Sequence, residues 1–161
     1  MPAKGSDFMW PFRKKVNPLG FRRDESGALA FDLTPEEQRE VDQTMKAFEG
    51  YVVNPQYAEE VRCSIIARGL SNYAVSCVLG DQMEEAFAAV TKAYSIFPVP
   101  IYLYDGACFL EKMGRAREAA DLYRKFLASE SAFEATPIQK ALLQDRDIFE
   151  AVKDARRKVQ W

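Results

Sequence analysis

The sequence predicts an all-α protein built from stacked antiparallel helix hairpins, with further helices capping both ends of the stack. The first observation is an internal repeat, because two stretches offset by 33 residues carry the same order of large and small apolar residues. The second is that a glycine-containing break, at Gly80 and at Gly114, divides each stretch into two helical halves. The repeated positions are Leu70, Tyr73, Ala74, Cys77, Ala86, Val90, Ala93 and Pro98, and then Leu103, Gly106, Ala107, Leu110, Ala119, Tyr123, Phe126 and Ser131.

The chain has 161 residues, of which 48% are apolar, enough for one folded domain with a sizeable core. It has no apolar run of about 18 residues and no basic–apolar–small leader, so we expect a cytoplasmic protein. Its cysteines, Cys63, Cys77 and Cys108, each lie in an apolar helical context. We interpret them as small buried hydrophobic residues, with a redox-active thiol as the alternative.

Residues 1–33 form a basic, aromatic-containing tail that we expect to be largely irregular; residues 1–23 alone carry a net charge of +5, which leaves −7 for the remainder. Alternation at Leu29 and Phe31 favours a short hairpin across residues 21–31. One segment places aromatic and basic side chains together: Trp10, Phe12, Arg13, Lys14 and Lys15. It suits an anionic membrane surface or a protein groove, but its three basic residues are few for stable membrane binding, which leaves a solvated tail as the simplest interpretation.

The helical domain is expected over residues 34–161, and residues 34–66 are interpreted as a capping pair of helices. Thr34 suits an N-cap, Pro35 suits the first helical position, and Glu37 completes a capping box. This helix is expected to end near Gly50. A second helix is expected to begin at residue 55 and to run toward Gly69.

The two repeated units are expected at about residues 67–98 and 100–131, each as one helix hairpin. Ala74 and Ala107 lie midway along the first helix of their units, where small side chains let two helix axes approach closely. Ala86 and Ala119 lie near the start of each second helix and have the same effect. Prolines at positions 98 and 100 end the first unit before the second begins.

Residues 136–159 are predicted to cap the far end of the stack with two helices. Thr136 and Pro137 begin the first, an interruption at residues 145–147 separates the two, and Ile148 begins the second. The last helix is expected to cover the second repeat, because the end of a stack needs a polar outer face.

The period near 34, the spacing of large and small residues and the two breaks resemble the tetratricopeptide repeat family over about residues 67–131. Leucine stands at the first aromatic position in both copies, Gly106 stands where leucine is usual, and Ser131 replaces the closing proline. The resemblance implies a two-repeat, protein-binding α-solenoid. An unrelated antiparallel helical bundle is the alternative.

In that family the first helix of each hairpin lines a concave face, which implies a partner-binding groove in this protein. Its apolar floor would consist of Val75, Val78, Ile101, Tyr104 and Cys108, and its polar rim of Arg68, Ser71, Glu111 and Lys112. An apolar floor with a polar edge suits a helix or an extended peptide. The alternative is that a flanking helix packs there and these residues are core.

The family's clamp for a partner's carboxyl terminus is missing, because Ser71, Val75, Ile101 and Asp105 stand at those places. The expected function is a non-enzymatic adaptor that binds a protein partner through the groove. One alternative is a chaperone that shields an apolar segment of a client, similar to the translocator chaperones of bacterial type III secretion. The other is a structural subunit that uses its convex face.

The sequence contains no histidine, which removes the commonest general base and metal ligand. It has no Cys-x-x-Cys pair, phosphate-binding glycine loop or nucleophile elbow. Paired glutamates at 36–37 and 84–85 lie in the first turn of predicted helices, where the helix dipole favours negative charge. We therefore expect no catalytic residue, metal or cofactor, and the acidic body argues against nucleic acid as a partner.

Overall fold

The computed structural model describes residues 21–23, 29–31, 35, 39, 42–43 and 55–160. Residues 55–160 fold into helices joined by short connections, which confirms the predicted helical class for this part of the chain. The helices are α1 (Pro55–Leu79), α2 (Met83–Ile96), α3 (Ile101–Lys112), α4 (Ala116–Ser131), α5 (Pro137–Leu143) and α6 (Ile148–Lys158). Consecutive helices from α1 to α4 pack against each other.

The repeated positions of the sequence form the core of this helical stack. Buried members of the first unit are Leu70, Ala74, Cys77, Ala86, Val90 and Ala93, and those of the second are Leu103, Gly106, Ala107, Leu110, Ala119, Tyr123 and Phe126. Tyr73 is half-buried, and the closing residues Pro98 and Ser131 are exposed. The repeated apolar pattern therefore predicted the packed face of each helix.

The two interhelix turns have the same backbone hydrogen bonds at positions 33 residues apart. In the first turn the amide of Gln82 donates to the carbonyl of Cys77 at 2.7 Å. In the second the amide of Arg115 donates to the carbonyl of Leu110 at 2.9 Å. This long bond back into the preceding helix satisfies carbonyls that a helix end leaves without partners. The predicted breaks are confirmed at both places.

Gly106 lies where α2, α3 and α4 meet. A Cβ atom at this position would be 3.1 Å from Cδ2 of Leu122 and 3.4 Å from Cε2 of Phe87. The space that a leucine side chain would occupy is therefore already filled from the two neighbouring helices. This close approach is the physical reason for glycine at this position.

Helix α1 is continuous over 25 residues, so the predicted end of a capping helix near Gly69 is wrong. Gly69 is buried inside the helix. Glycine costs about 1 kcal/mol relative to alanine in a helix interior. Ile65 and Leu70 are both buried in the core, and the apolar area that they remove from water outweighs that cost.

The predicted cap over residues 34–50 lies outside the described residues apart from four positions. Pro35, Arg39, Asp42 and Gln43 are helical, in agreement with a helix in this region. Asp42 also accepts a hydrogen bond from Nη2 of Arg62 at 2.6 Å, which links this region to α1.

The predicted hairpin within residues 21–31 is present as two short paired strands. Strand β1 (Phe21–Arg23) pairs antiparallel with β2 (Leu29–Phe31), and Phe21 lies opposite Phe31. Within the described residues this pair is the β element of an otherwise helical protein.

The two predicted helices at the far end are confirmed, with the interruption at residues 144–147. Thr136 and Gln139 form a capping box at the start of α5, and the carboxylate of Asp147 accepts from the amide of Glu150 at the start of α6. Helix α6 packs against α4 and α3, as expected of a helix that covers the second repeat. Helix α5 instead reaches back to α1, which the sequence did not predict.

Candidate partner-binding surface

The five residues predicted to line the groove floor occupy different environments. Val75 is 56% exposed, and Val78, one turn further along α1, is half-buried. On α3, Tyr104 and Cys108 are half-buried, and Ile101 is 2% exposed and belongs to the core. The floor on α1 is therefore open to solvent, and the floor on α3 is largely closed.

The chain's own helix α6 closes the α3 side. The hydroxyl of Tyr104 donates a hydrogen bond to Oδ2 of Asp154 at 2.7 Å. One turn further along α6 and two turns further along α3, Nζ of Lys158 donates to Oε2 of Glu111 at 2.7 Å. A flanking helix thus covers this half of the predicted groove, in line with the alternative interpretation of the sequence.

The four predicted rim residues also separate into two groups. Arg68 forms an ion pair with Asp145 at 3.5 Å, and Glu111 pairs with Lys158, so both contact the segment after the second repeat. Ser71 is half-buried, and Lys112 is exposed. Of the two rim residues on α3, Glu111 is therefore engaged inside the molecule and Lys112 is open to solvent.

Thr136, the N-cap of α5, makes a further contact between this segment and α1. The hydroxyl of Thr136 donates to the carboxylate of Glu60, near the start of α1. The segment from Thr136 to Lys158 therefore extends from the first helix of one hairpin to the first helix of the other. We call this segment the strap.

A half-buried, bidentate contact of the strap joins Arg146 to Asp105. The guanidinium donates two hydrogen bonds, at 3.1 and 2.6 Å, to the two carboxylate oxygens of Asp105. The side chains are 32% and 18% exposed, respectively. Burial raises the pKa of Asp105, and the hydrogen bonds and charge of Arg146 oppose that rise. A bidentate pair of this kind fixes the relative orientation of the two side chains and also strengthens the interaction.

Aromatic residues form the floor beneath α6. The ring of Tyr104 lies 5.8 Å from that of Tyr123 and 5.5 Å from that of Phe126, in tilted arrangements. The hydroxyl of Tyr123 lies 3.5 Å from Sγ of Cys108 and 3.3 Å from Oε2 of Glu111. Burial raises the pKa of both Tyr104 and Tyr123, so both phenols stay protonated and act as donors.

The sequence predicts small buried cysteines; Cys77 is buried, and Cys63 and Cys108 are half-buried. Burial is the main cause of a raised pKa at Cys63, Cys77 and Cys108. A raised pKa lowers the thiolate fraction, and the thiolate is the reactive form.

An exposed apolar strip remains at the carboxyl end of α1. Leu79 is 84% exposed and follows Val75 by one helical turn, with half-buried Val78 beside them. We call these three residues the α1 strip. The repeat-equivalent positions on α3 are Cys108, Glu111 and Lys112, which are either covered or charged. Leu79 was not among the predicted site residues, although its place one turn after Val75 was the signal that could have found it.

The sequence interpretation also missed the strap residues that contact α3: Arg146, Asp154 and Lys158. Ala151 and Ala155 are four residues apart, and two small residues at that spacing indicate a closely packed helix face. Asp154 and Lys158 each come three residues after one of these alanines. The tail residues Trp10, Phe12, Arg13, Lys14 and Lys15 lie outside the described part of the chain.

Among the described residues, no group of three or more cysteine, aspartate or glutamate side chains is arranged to hold a metal ion. None of the helices in the described ranges is both long and apolar enough to pass through a bilayer.

Comparisons with models of known protein families, with curated proteins and with solved structures each found no match to this chain.

Proposed function

We propose that this protein is a non-enzymatic interaction module of the tetratricopeptide type, which binds a partner peptide or helix through the α1 strip. The observation that supports this proposal is the exposure of Val75 and Leu79 on one face of a helix whose opposite face is core. Apolar side chains one turn apart are the usual anchors when a helix or peptide docks on a helical surface.

The driving force for such binding is removal of apolar area from water, at about 25 cal/mol per Å². Half-buried Val78 would add apolar area to the contact that Val75 and Leu79 make with the partner. Exposed Lys112 lies at the repeat-equivalent position of Leu79, and a charge at an interface edge sets orientation more than affinity.

The proposed surface is smaller than the groove expected from the sequence. Val75 and Val78 stay in it and Leu79 is added. Ile101 is core, Tyr104 faces the strap and Cys108 contacts Tyr123, so these three side chains are engaged within the chain. A partner would contact them only if the strap moved.

Of the two alternatives, a structural subunit that assembles through its convex face has less support. That face belongs to α2 and α4, and neither helix has a large apolar side chain that is mostly exposed. Permanent interfaces are usually the more hydrophobic ones. A client-shielding chaperone would use the same apolar strip as an adaptor, so the identity of the partner distinguishes these two functions.

The test is affinity capture from a lysate with quantitative mass spectrometry, comparing the wild-type chain with the double variant Val75→Glu, Leu79→Glu. Phe149→Glu is the matched control, because Phe149 is a 72% exposed apolar residue on α6. Circular dichroism verifies that each variant is folded.

A partner that wild type and control retain and the double variant loses is then purified and titrated. We expect its dissociation constant to rise at least about tenfold with the double variant. Equal capture by all three chains would exclude the α1 strip as the binding surface.

A further inference from the structure

We propose that α6 is an exchangeable helix. It fills, from within the chain, a docking surface on α3 and α4 that recognises a partner helix with the same pattern of two small residues, one aspartate and one lysine. This surface is separate from the α1 strip, so the inference does not depend on the proposed function above.

The strap is less deeply buried than the stack beneath it. Helix α5 has no fully buried residue, and α6 fully buries only Ala151 and Ala155. The other apolar side chains of the strap that pack against the core are half-buried: Ile138, Leu142, Leu143, Ile148 and Val152. By contrast, α4 buries the large side chains of Tyr123 and Phe126. The strap is therefore held by polar contacts together with half-buried apolar side chains, and water can replace the polar contacts when a helix leaves.

The surface beneath α6 presents a specific set of polar groups. The hydroxyl of Tyr104 donates to an aspartate, and the carboxylate of Glu111 accepts from a lysine four residues further along the docked helix. The same lysine, Lys158, lies 5.6 Å from the ring centre of Tyr123. These groups select an aspartate and a lysine in that order and at that spacing.

A helix that docks on this surface also needs small side chains at two positions. Ala151 and Ala155 face the stack and are 5% and 0% exposed, so larger residues there would hold the helix away from the aromatic floor. The sequence pattern that this surface reads is small-x-x-Asp-small-x-x-Lys, as in residues 151–158.

Helix α6 has the composition of a docking helix. Residues that face the stack fall at helical spacing on one side, from Ile148 through Ala151 and Val152 to Ala155. The opposite side carries Lys153, Arg156 and Arg157, all exposed. A helix with one apolar face and one charged face is the form in which helices bind to grooves.

The test uses the full chain and a fluorescent peptide of residues 144–160, followed by fluorescence anisotropy. The Lys158→Glu chain places a glutamate opposite Glu111, which weakens its own α6 without altering α3 or α4. We expect it to bind the wild-type peptide about tenfold more tightly than the wild-type chain does. The matched control is Lys153→Glu, the same charge change on the exposed side of α6, which should bind like wild type.

A charge exchange tests the recognition itself. The Glu111→Lys chain should prefer a peptide that carries Lys158→Glu over the wild-type peptide, again by about tenfold. Equal affinity of both peptides, or no peptide binding by any chain, would overturn the proposal. If the Lys158→Glu chain forms a dimer that the peptide does not dissociate, the surface binds a second copy of this chain. That result would also overturn the proposal.

A measurement on the wild-type chain keeps the proposal testable if these variants fail to fold. In native-state hydrogen exchange, amides of α6 should exchange at least about a hundredfold faster than those of α3, because the strap opens while the stack stays folded. Equal protection of α6 and α3 would mean that the strap does not open separately.

Discussion

Asp81 and Gly114 hold equivalent places in the two interhelix turns, and both have a left-handed backbone, with φ of 58° and 78° respectively. This conformation costs an L-amino acid about 1 kcal/mol and costs glycine almost nothing. The same turn hydrogen bonds impose it in both places, since each turn closes the preceding helix in the same way. The first turn therefore carries a backbone strain that the second avoids.

We expect Asp81→Gly to raise the free energy of unfolding by about 0.5–1 kcal/mol, because glycine removes that strain. Gly114→Ala should lower it by about 1 kcal/mol. A Cβ at Gly114 meets no atom within 4 Å, so the loss reports the backbone alone. Urea unfolding measures both, and a less stable Asp81→Gly chain would contradict the strain assigned to the first turn.

Substitution of Ala119 tests the close packing of the second hairpin. Ala119 is buried at the start of α4, so Ala119→Leu should overpack the contact and cost about 1–3 kcal/mol. Ala128→Leu is the control, since Ala128 lies on the exposed side of the same helix. Thermal unfolding should separate the two variants clearly, and equal melting temperatures would count against a close helix crossing at Ala119.

Removal of one partner of the Asp105–Arg146 pair should be costly. Arg146→Ala leaves the 18% exposed carboxylate of Asp105 without its two hydrogen bonds, for an expected loss of about 1–3 kcal/mol. Arg124→Ala breaks an exposed pair with Asp121 and should cost less than about 0.5 kcal/mol. Similar losses for both variants in urea unfolding would show that the strap contact is no stronger than a surface ion pair.

The contact of Asp154 with Tyr104 predicts a pH dependence of stability. Burial opposes ionisation of Asp154, but hydrogen bonds from Tyr104 and Arg157 outweigh that effect and lower the pKa of the carboxyl. A folded-state pKa below the unfolded value stabilises the protein above pH of about 4, and this contribution is lost as the pH falls through the folded-state pKa.

Asp154→Asn should therefore destabilise the protein most near pH 7, and its difference from wild type should shrink below a pH of about 4. Unfolding in urea at a series of pH values measures this difference. Asp121→Asn, on the exposed surface of α4, is the control. A difference between Asp154→Asn and wild type that stays constant down to pH of about 2 would contradict the assigned cause.

The sequence predicted the parts of this fold that depend on local pattern. The positions of Ala74 and Ala107 in the core, the breaks after Gly80 and Gly114, and the helix start at Thr136 follow from spacing, glycine and capping, which act within a few residues. The continuity of α1 through Gly69 was missed because burial of its neighbours overrides a local helix breaker.

The candidate surface was less predictable than the fold. Asp105 and Arg146 are 41 residues apart, and no periodic pattern tells one polar side chain which distant partner it has. Val75 is exposed and Cys108 is half-buried beside Tyr123, although the two residues hold the same place in their repeats. The repeat predicted which positions on α1 and α3 are equivalent, but it did not predict how accessible each one is.

The contact of α5 with α1 changes how the protein is expected to unfold. In an array where each hairpin touches only its neighbours, stability is nearly a one-dimensional sum, and the array can fray from either end. Here Thr136 and Glu60, 76 residues apart, join the start of α5 to α1. Fraying of α1 therefore also breaks a contact of the strap, so the ends of the array are thermodynamically coupled, and contacts of such long range slow folding.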